Sequence, residues 1–382
     1  MTIQFSGGPF VDRVSGRLLC YVAPNNESDL AVAVRAAALT GGHEASGLVV
    51  RGPRTTKLLR SLDQMSAPGT ARQPVIVDPG KWTKTVATAN VPLDLDADED
   101  VLIPLTLEQW AASWFSAGAD AVLTPSGFVE SGDWPALKAV LVAGAQVRDP
   151  RVATLIATDA AMLDPARLAT FLEHVDEQRA GRPLAFVFAA KSVHLARARR
   201  MSGLRELLAA FPGSLVVGAE VLAATDVLVH GGTAAIGLLA SQRQPRPPGK
   251  GGGPGSAGFI PGLFLRELWE TRSPSIYRDW YRNHSAPVCA GCGGRAVDEF
   301  TTDPADKEAV LLHNVHAWLK VLDGLRGEDL DQHGWLVRER WHARGAHRKL
   351  GPRGAGAPVD PLLAALCELD GPPPQHQPVP AS

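Results

Sequence analysis

Cysteine is scarce in this 382-residue chain: there are four, Cys20, Cys289, Cys292 and Cys367. Four thiols are too few for a disulfide-built scaffold, the more so in the cytoplasmic compartment expected here. Long apolar runs are missing as well, since none approaches the ~18–20 residues of a membrane span. The first residues, MTIQFSGGPFVDR, lack the basic-then-apolar pattern of a secretory signal. A soluble cytoplasmic protein with no membrane partner is therefore expected. Net charge is nearly absent, -2, so the chain has no bulk affinity for nucleic acid. Its 38 glycines follow no period of three, which excludes collagen, and there are no Glu/Lys/Leu heptads of a coiled coil. The 45% apolar content excludes a wholly disordered chain.

What the chain does have is alternation. Short, near-continuous apolar runs recur at 47–50, 74–77, 121–123, 153–157, 184–188, 214–217 and 226–229. Runs of this kind fit parallel strands covered on both faces. Helical stretches lie between them, at 107–117, 163–177 and 193–211. Strand–helix alternation over seven or eight units predicts an α/β fold. A (β/α)8 barrel over residues 1–258 is preferred to an open doubly wound sheet, because the count is near eight and no G-x-G-x-x-G turn follows the first run. A helical, aromatic, metal-binding subdomain is expected over 259–345. A largely flexible tail, with one short apolar stretch at 361–369, is expected over 346–382.

In such a barrel the chemistry sits at the C-terminal strand ends. Those ends carry Arg51, Asp78, Thr124, Thr158, Asp159, Lys191, Glu220 and His230. Asp78 leads, because Asp78-Pro79-Gly80-Lys81-Trp82 is a tight turn that holds one carboxylate rigidly. Lys81, Asp159 and Glu220 are candidates for substrate binding. Asp159 also opens a helical stretch and serves equally as an N-cap.

The segment 241–258, SQRQPRPPGKGGGPGSAG, reads either as a connector or as a basic flap. It is not a phosphate-binding Walker loop, since order and spacing fail. Basic clusters occur at Arg197, Arg199 and Arg200, at Arg243, Arg246 and Lys250, and at Arg338, Arg340, Arg344, Arg348, Lys349 and Arg353. The last cluster, interleaved with Trp335 and Trp341, has the make-up of a backbone-contacting surface or of a solvated helix end.

The sharpest local signal is Cys289-Ala290-Gly291-Cys292, a knuckle that presents two thiolates to one ion. Downstream, His313 and His316 are three apart in a predicted helix and share a face. Two thiolates and two imidazoles make a tetrahedral structural zinc site. The histidine spacing is tighter than in a zinc finger, so the fourth ligand is His316 or His284.

Together these features resemble the tRNA-guanine transglycosylase superfamily. That family has a (β/α)8 barrel with a zinc subdomain near its end, built from C-x-C-x2-C and a histidine in an I-H-N-L helix. Cys289 and Cys292 look like its last two cysteines, and Leu312-His313-Asn314-Val315 like its histidine helix. Pro287 stands where the first cysteine falls. Val77-Asp78-Pro79-Gly80-Lys81-Trp82 is similar to the family's D-S-G-G-F-Q turn, without its Gly-Gly and Gln. The resemblance implies base exchange, in which a carboxylate attacks the ribose C1′ and a second base displaces the covalent intermediate. It implies Asp78 as acid/base. The nucleophile's strand looks like 224–230, with either Asp226 as nucleophile or the strand's end at Val229 or His230. The implied partner is a nucleic acid or a nucleoside, and a homodimer is compatible with it. The alternative is a zinc-containing nucleic-acid-binding protein of the same fold that has lost the chemistry. A zinc hydrolase would need an open metal position among the strand-end carboxylates.

Overall fold

The computed structural model describes residues 9–65, 73–95, 105–190, 195–249, 262–327, 331–350 and 356–373. Eight parallel strands close into a ring: β1 (Leu18–Val22), β2 (Ser46–Val50), β3 (Val75–Val77), β4 (Ala121–Leu123), β5 (Val152–Asp159), β6 (Leu184–Ala189), β7 (Leu215–Ala219) and β8 (Thr233–Gly237). Each pairs with the next, and β8 closes onto β1 through Leu18↔Ala234 to Tyr21↔Gly237. A short strand, Phe128–Val129, adds to the upper part of β5. The expected (β/α)8 barrel is thus the fold.

Strand side chains alternate between two cores, as the pleat requires. Leu19, Tyr21, Val49, Ile76, Leu155, Val187 and Val217 fill the barrel interior. Phe10 and Val14, from a short helix ahead of β1, plug its floor, and Trp82 and Phe128 close its top. The outward-facing set, including Leu48, Val50, Val77, Ile156, Phe186 and Val216, packs under the helices.

Seven helices follow strands in the usual way: α1 (Glu27–Gly41), α2 (Thr55–Met65), α3 (Leu107–Ser116), α4 (Trp134–Ala145), α5 (Pro165–Gln178), α6 (Ala198–Ala210) and α7 (Val221–Val229). Their starts are chemically marked. Asn26 accepts from the Asp29 N–H, Asp133 from the Ala136 N–H, and Thr106 forms a capping box with Gln109.

The eighth helix arrives late. Residues 240–306 intervene before α8 (Lys307–Leu325), which packs against α1 and is tied to it by Lys307–Asp29 at 2.9 Å and by Arg35–Glu308. The knuckle therefore belongs to an insertion between the last strand and the last helix of the barrel. The insertion has its own apolar cluster, with Leu263, Leu265, Tyr277, Phe300 and Val310 at its centre. Two further helices, α9 (Gln332–His347) and α10 (Pro361–Asp370), cover α6 and α7 from outside.

Four expectations are corrected. Residues 226–229 are helix, part of α7, and the strand is Thr233–Gly237. The first strand, Leu18–Val22, was not expected. The segment expected to be helical over 259–280 is, from 262 on, not mainly so: β9 (Leu263–Leu265) and β10 (Glu270–Arg272) form an antiparallel pair before a short helix, Pro274–Trp280. The tail holds a packed helix, because Leu362, Leu363, Leu366 and Cys367 of α10 are buried against the core. Lys191, Lys250, Arg353, most of the 241–258 loop's second half and the last nine residues lie outside the described residues.

Candidate functional site

At the barrel mouth Asp78 follows β3 and is 1% exposed. Its Oδ2 accepts from the Tyr21 hydroxyl at 2.7 Å and from the Trp82 indole N–H at 3.3 Å. Its Oδ1 accepts from the Gly80 N–H at 2.8 Å. Three donors thus satisfy one buried carboxylate, as burial of a charge demands. Gly80 is needed twice over. Its φ is 70°, and a Cβ there would lie 2.5 Å from Cδ of Arg51. The Arg51 guanidinium sits 5.5 Å from the Tyr21 ring centroid and 5.3 Å from that of Trp82, a pair of cation–π contacts. Burial, with Asp78 next, drives the Tyr21 phenol well above its ordinary pKa, so Tyr21 is a permanent donor. Tyr21 was missed in the sequence. Its signal was the apolar run Leu18-Leu19-Cys20-Tyr21-Val22, no different in kind from those read as strands.

The other rim candidates are spread. Lys81 pairs with Asp94 at 3.2 Å. Asp159 caps the turn after β5, accepting from the Ala161 N–H at 2.8 Å. Glu220 follows β7, accepts from the Gln244 amide at 2.6 Å, and has its carboxyl pushed up by burial.

Asp226 and His230 are not at the mouth. Asp226 lies on α7 in the outer layer, fully buried. Arg205 of α6 grips it with two bonds, of 2.9 and 2.7 Å, and Arg340 of α9 reaches it at 2.9 Å. Both arginines also pair with Asp370 of α10, at 2.7 and 3.1 Å. Burial works to raise the Asp226 pKa, but Arg340 and Arg205 outweigh it and the carboxylate sits below its ordinary value. His230 ends α7, its Nδ1 2.7 Å from the Asp226 carbonyl oxygen. This is a clasp joining four helices.

The true eighth strand ends at Gly237, followed by Leu238 and Leu239, with no ionisable group. A Cβ at Gly237 would lie 2.5 Å from the backbone N of Arg243 and C of Gln242. Gly237→Ala is expected to cost about 1–3 kcal/mol by overpacking, read as a lower urea midpoint at unchanged slope.

The basic clusters are also dispersed. Arg200 pairs with Asp164 at 2.9 Å, Arg243 donates to the Gly237 and Leu238 carbonyls, and Arg340 is fully buried. Arg197, Arg199, Arg246, Arg348 and Lys349 are exposed, and Arg344 lies over the Trp341 ring.

The cysteines and histidines do converge. One donor atom from each of Cys289, Cys292 and His316 lies within 4.8 Å of the others. The Sγ of Cys292 is 3.4 Å from Nδ1 of His316 and 3.6 Å from Nδ1 of His313. Two ligands at zinc's S and N bond lengths, spread tetrahedrally, stand about 3.5 Å apart. The Nε2 of His313 is 3.0 Å from the Phe264 carbonyl oxygen. Only an N–H satisfies that carbonyl, so Nδ1 keeps its lone pair for the cluster. The next residue, Asn314, accepts from the Phe264 N–H at 2.7 Å and donates to the Gly262 carbonyl at 2.8 Å. The His-Asn pair thus holds β9 to α8 while aiming the imidazole. Gly291 has no side chain because the His316 ring lies where its Cβ would be, at 2.7 Å. Gly293 and Gly294 turn the chain back with φ of 71° and 82°. His284 is exposed and outside the cluster. The thiols are unpaired with each other as a disulfide, and a Cys/His donor set of this kind suits a metal ion.

No protein-family model matches the chain, and no curated protein matches it. Among solved structures it is similar to a dihydrodipicolinate synthase family protein from Coccidioides immitis, at 11% identity over 94% of this chain and 95% of that one, with a TM-score of 0.36. That likeness adds nothing to the barrel that the strand register already defines. Fold and cluster together define a (β/α)8 barrel whose insertion before the last helix carries a potential metal centre.

Proposed function

We propose that this chain is a zinc-clamped barrel of the transglycosylase type that engages a nucleobase of a nucleic acid or nucleoside at its mouth through Asp78. The observation that carries the reading is the Cys289–Cys292–His316 cluster, with Nδ1 of His313 3.6 Å from the Cys292 sulfur, joining the insertion to the barrel's own last helix. The ion would be closed off by four protein ligands and so structural, holding the insertion beside the mouth. It supplies no bond-making step. At the mouth, the carboxylate held by Tyr21, Gly80 and Trp82 would accept from the N–H edge of a base once Trp82, which covers it and donates to it, swings aside, and the Arg51–Trp82 stack offers a flat, cationic neighbour.

A narrower reading is favoured by Gly237: binding without exchange. Base exchange needs a second carboxylate to attack C1′ opposite the acid/base group. The strand that would present it ends without one, and Asp226 is locked in the outer clasp.

The test is a titration with guanine, guanosine and bulk tRNA, followed through the part of the tryptophan emission that Trp82→Phe removes, and compared with Asp78→Asn. Binding that weakens at least tenfold in Asp78→Asn supports the reading, and equal binding by both proteins contradicts it. Incubation of tRNA with radiolabelled guanine separates the two forms. No incorporation is expected, whereas incorporation by the wild type and not by Asp78→Asn overturns the binding-only form.

A further inference from the structure

Outside the barrel axis, against the ends of β6 and β7, two cavities share Glu220, Gln244 and Asp360 in their walls. The outer one, about 310 Å³, is walled by Phe188, Leu195, Ala223 and Leu362. The inner one, about 140 Å³, is walled by Phe264, Trp269, Glu270 and Arg272. An apolar chamber leading to a few converging polar groups is the usual form of a small-molecule site.

One polar group of the inner chamber has no partner among the described residues, and another is held by an ion pair alone. Trp269 is 1% exposed, and among the described residues its indole N–H has no acceptor. Glu270 is 2% exposed, and neither carboxylate oxygen receives a well-directed hydrogen bond, although the Arg272 guanidinium is in ion-pair contact with it; His347 Nε2, 3.4 Å away, is engaged by the Leu268 carbonyl oxygen at 3.0 Å. Trp269 is also held at φ 49°, a left-handed conformation that bulky residues seldom adopt.

Of the other charges in the walls, Arg246 is exposed at the outer chamber and two are engaged. Asp360 caps α10 by accepting from the Leu362 N–H at 2.7 Å, and Arg243 is bound to two carbonyls. Burial pushes the Glu270 carboxyl up to about 7, with Asp360 adding to the rise and Arg272 opposing it. Near neutral pH it therefore serves as acceptor or as donor.

We propose that these two chambers form one binding site for an amino-substituted nitrogen heterocycle. Its N–H edge meets Glu270 and Glu220, a ring nitrogen accepts from Trp269, and its apolar body rests on Phe188, Leu195 and Leu362. A planar ring with adjacent N–H groups matches a carboxylate's two oxygens, and an unprotonated ring nitrogen answers the orphaned indole. The site is separate from the mouth carboxylate Asp78.

The probe is 2-aminobenzimidazole, titrated calorimetrically into the full-length, metal-loaded protein at a pH where the probe is neutral and keeps its ring-nitrogen acceptor, with benzoate as an anionic control. Binding is expected to fall at least tenfold in Glu270→Gln and in Glu220→Gln and to persist in Asp78→Asn, which isolates this site from the mouth. Each variant's melting curve checks its fold. Because Glu270 is buried, the more accessible Glu220→Gln carries the test if Glu270→Gln does not fold. No heat with the probe at millimolar concentration, undiminished binding in both glutamine variants, or benzoate binding as tightly as the probe would each overturn the proposal.

Discussion

Arg340→Ala is expected to destabilise the protein by about 3–5 kcal/mol, the range for removing one partner from a buried ion pair. The guanidinium is fully buried and serves two carboxylates, Asp226 at 2.9 Å and Asp370 at 3.1 Å, together with the Leu222 carbonyl. Truncation leaves Asp226 with Arg205 alone, in a place that water does not reach. Arg340→Met should cost less, since it keeps the stem's packing and drops the guanidinium's own desolvation. Equilibrium urea denaturation of the two variants measures the difference. The pH dependence follows from the direction of the Asp226 shift. Its folded pKa lies below its ordinary value, so its contribution is complete above about pH 4 and is lost as pH falls through the lower, folded value. The Arg340→Ala penalty should therefore shrink in strong acid, as Asp226 is protonated.

The second large effect concerns the cluster. Cys292→Ser is expected to abolish stoichiometric zinc binding and to unfold the insertion locally. Cys292 stands within 3.6 Å of both imidazoles, so no other ligand fills its place, and His284 is exposed and remote from the cluster. Structural zinc contributes about 10–16 kcal/mol of apparent binding energy in small peptides. Here the apolar cluster around Tyr277 and Phe300 and the Arg295–Asp306 fork, with bonds of 2.9 and 2.7 Å, retain part of the insertion's order. The damage should thus appear first between residues 262 and 306. Limited proteolysis with and without a chelator reads it, with cleavage confined to that span. Because His313 rides on the helix that closes the barrel, the global melting temperature should fall as well.

The barrel was legible because its strands are continuous apolar runs buried on both faces, and such runs leave a plain mark. Where the reading failed, composition was ambiguous. Asp226-Val227-Leu228-Val229 is as β-prone as any strand, yet it is helical because α7 is buried both by the barrel and by α9, which makes it apolar all round. The true strand, Thr233-Ala234-Ala235-Ile236-Gly237, is hidden by its alanines, Ala235 facing the barrel interior and Ala234 the layer under the helices. This one-element slip moved the supposed nucleophile out of the mouth. The Cys/His cluster was legible because its spacing is of the kind that coordination geometry sets. The role of Asn314 was not, because it depends on β9 lying alongside α8. Asp78 was marked by its Asp-Pro-Gly turn, whereas its partner Tyr21 comes from a strand 57 positions earlier in the chain. Arg243 and Arg340 read as surface charge in the sequence, and only tertiary packing reveals that both are interior.

The most direct test of the clamp is X-ray absorption at the zinc edge of the purified full-length protein, with elemental analysis of the same sample. The account predicts one zinc per chain with two sulfur ligands at about 2.3 Å and two nitrogen ligands at about 2.0–2.1 Å. A protein that folds with no bound metal, or a shell of oxygen and nitrogen alone, contradicts it.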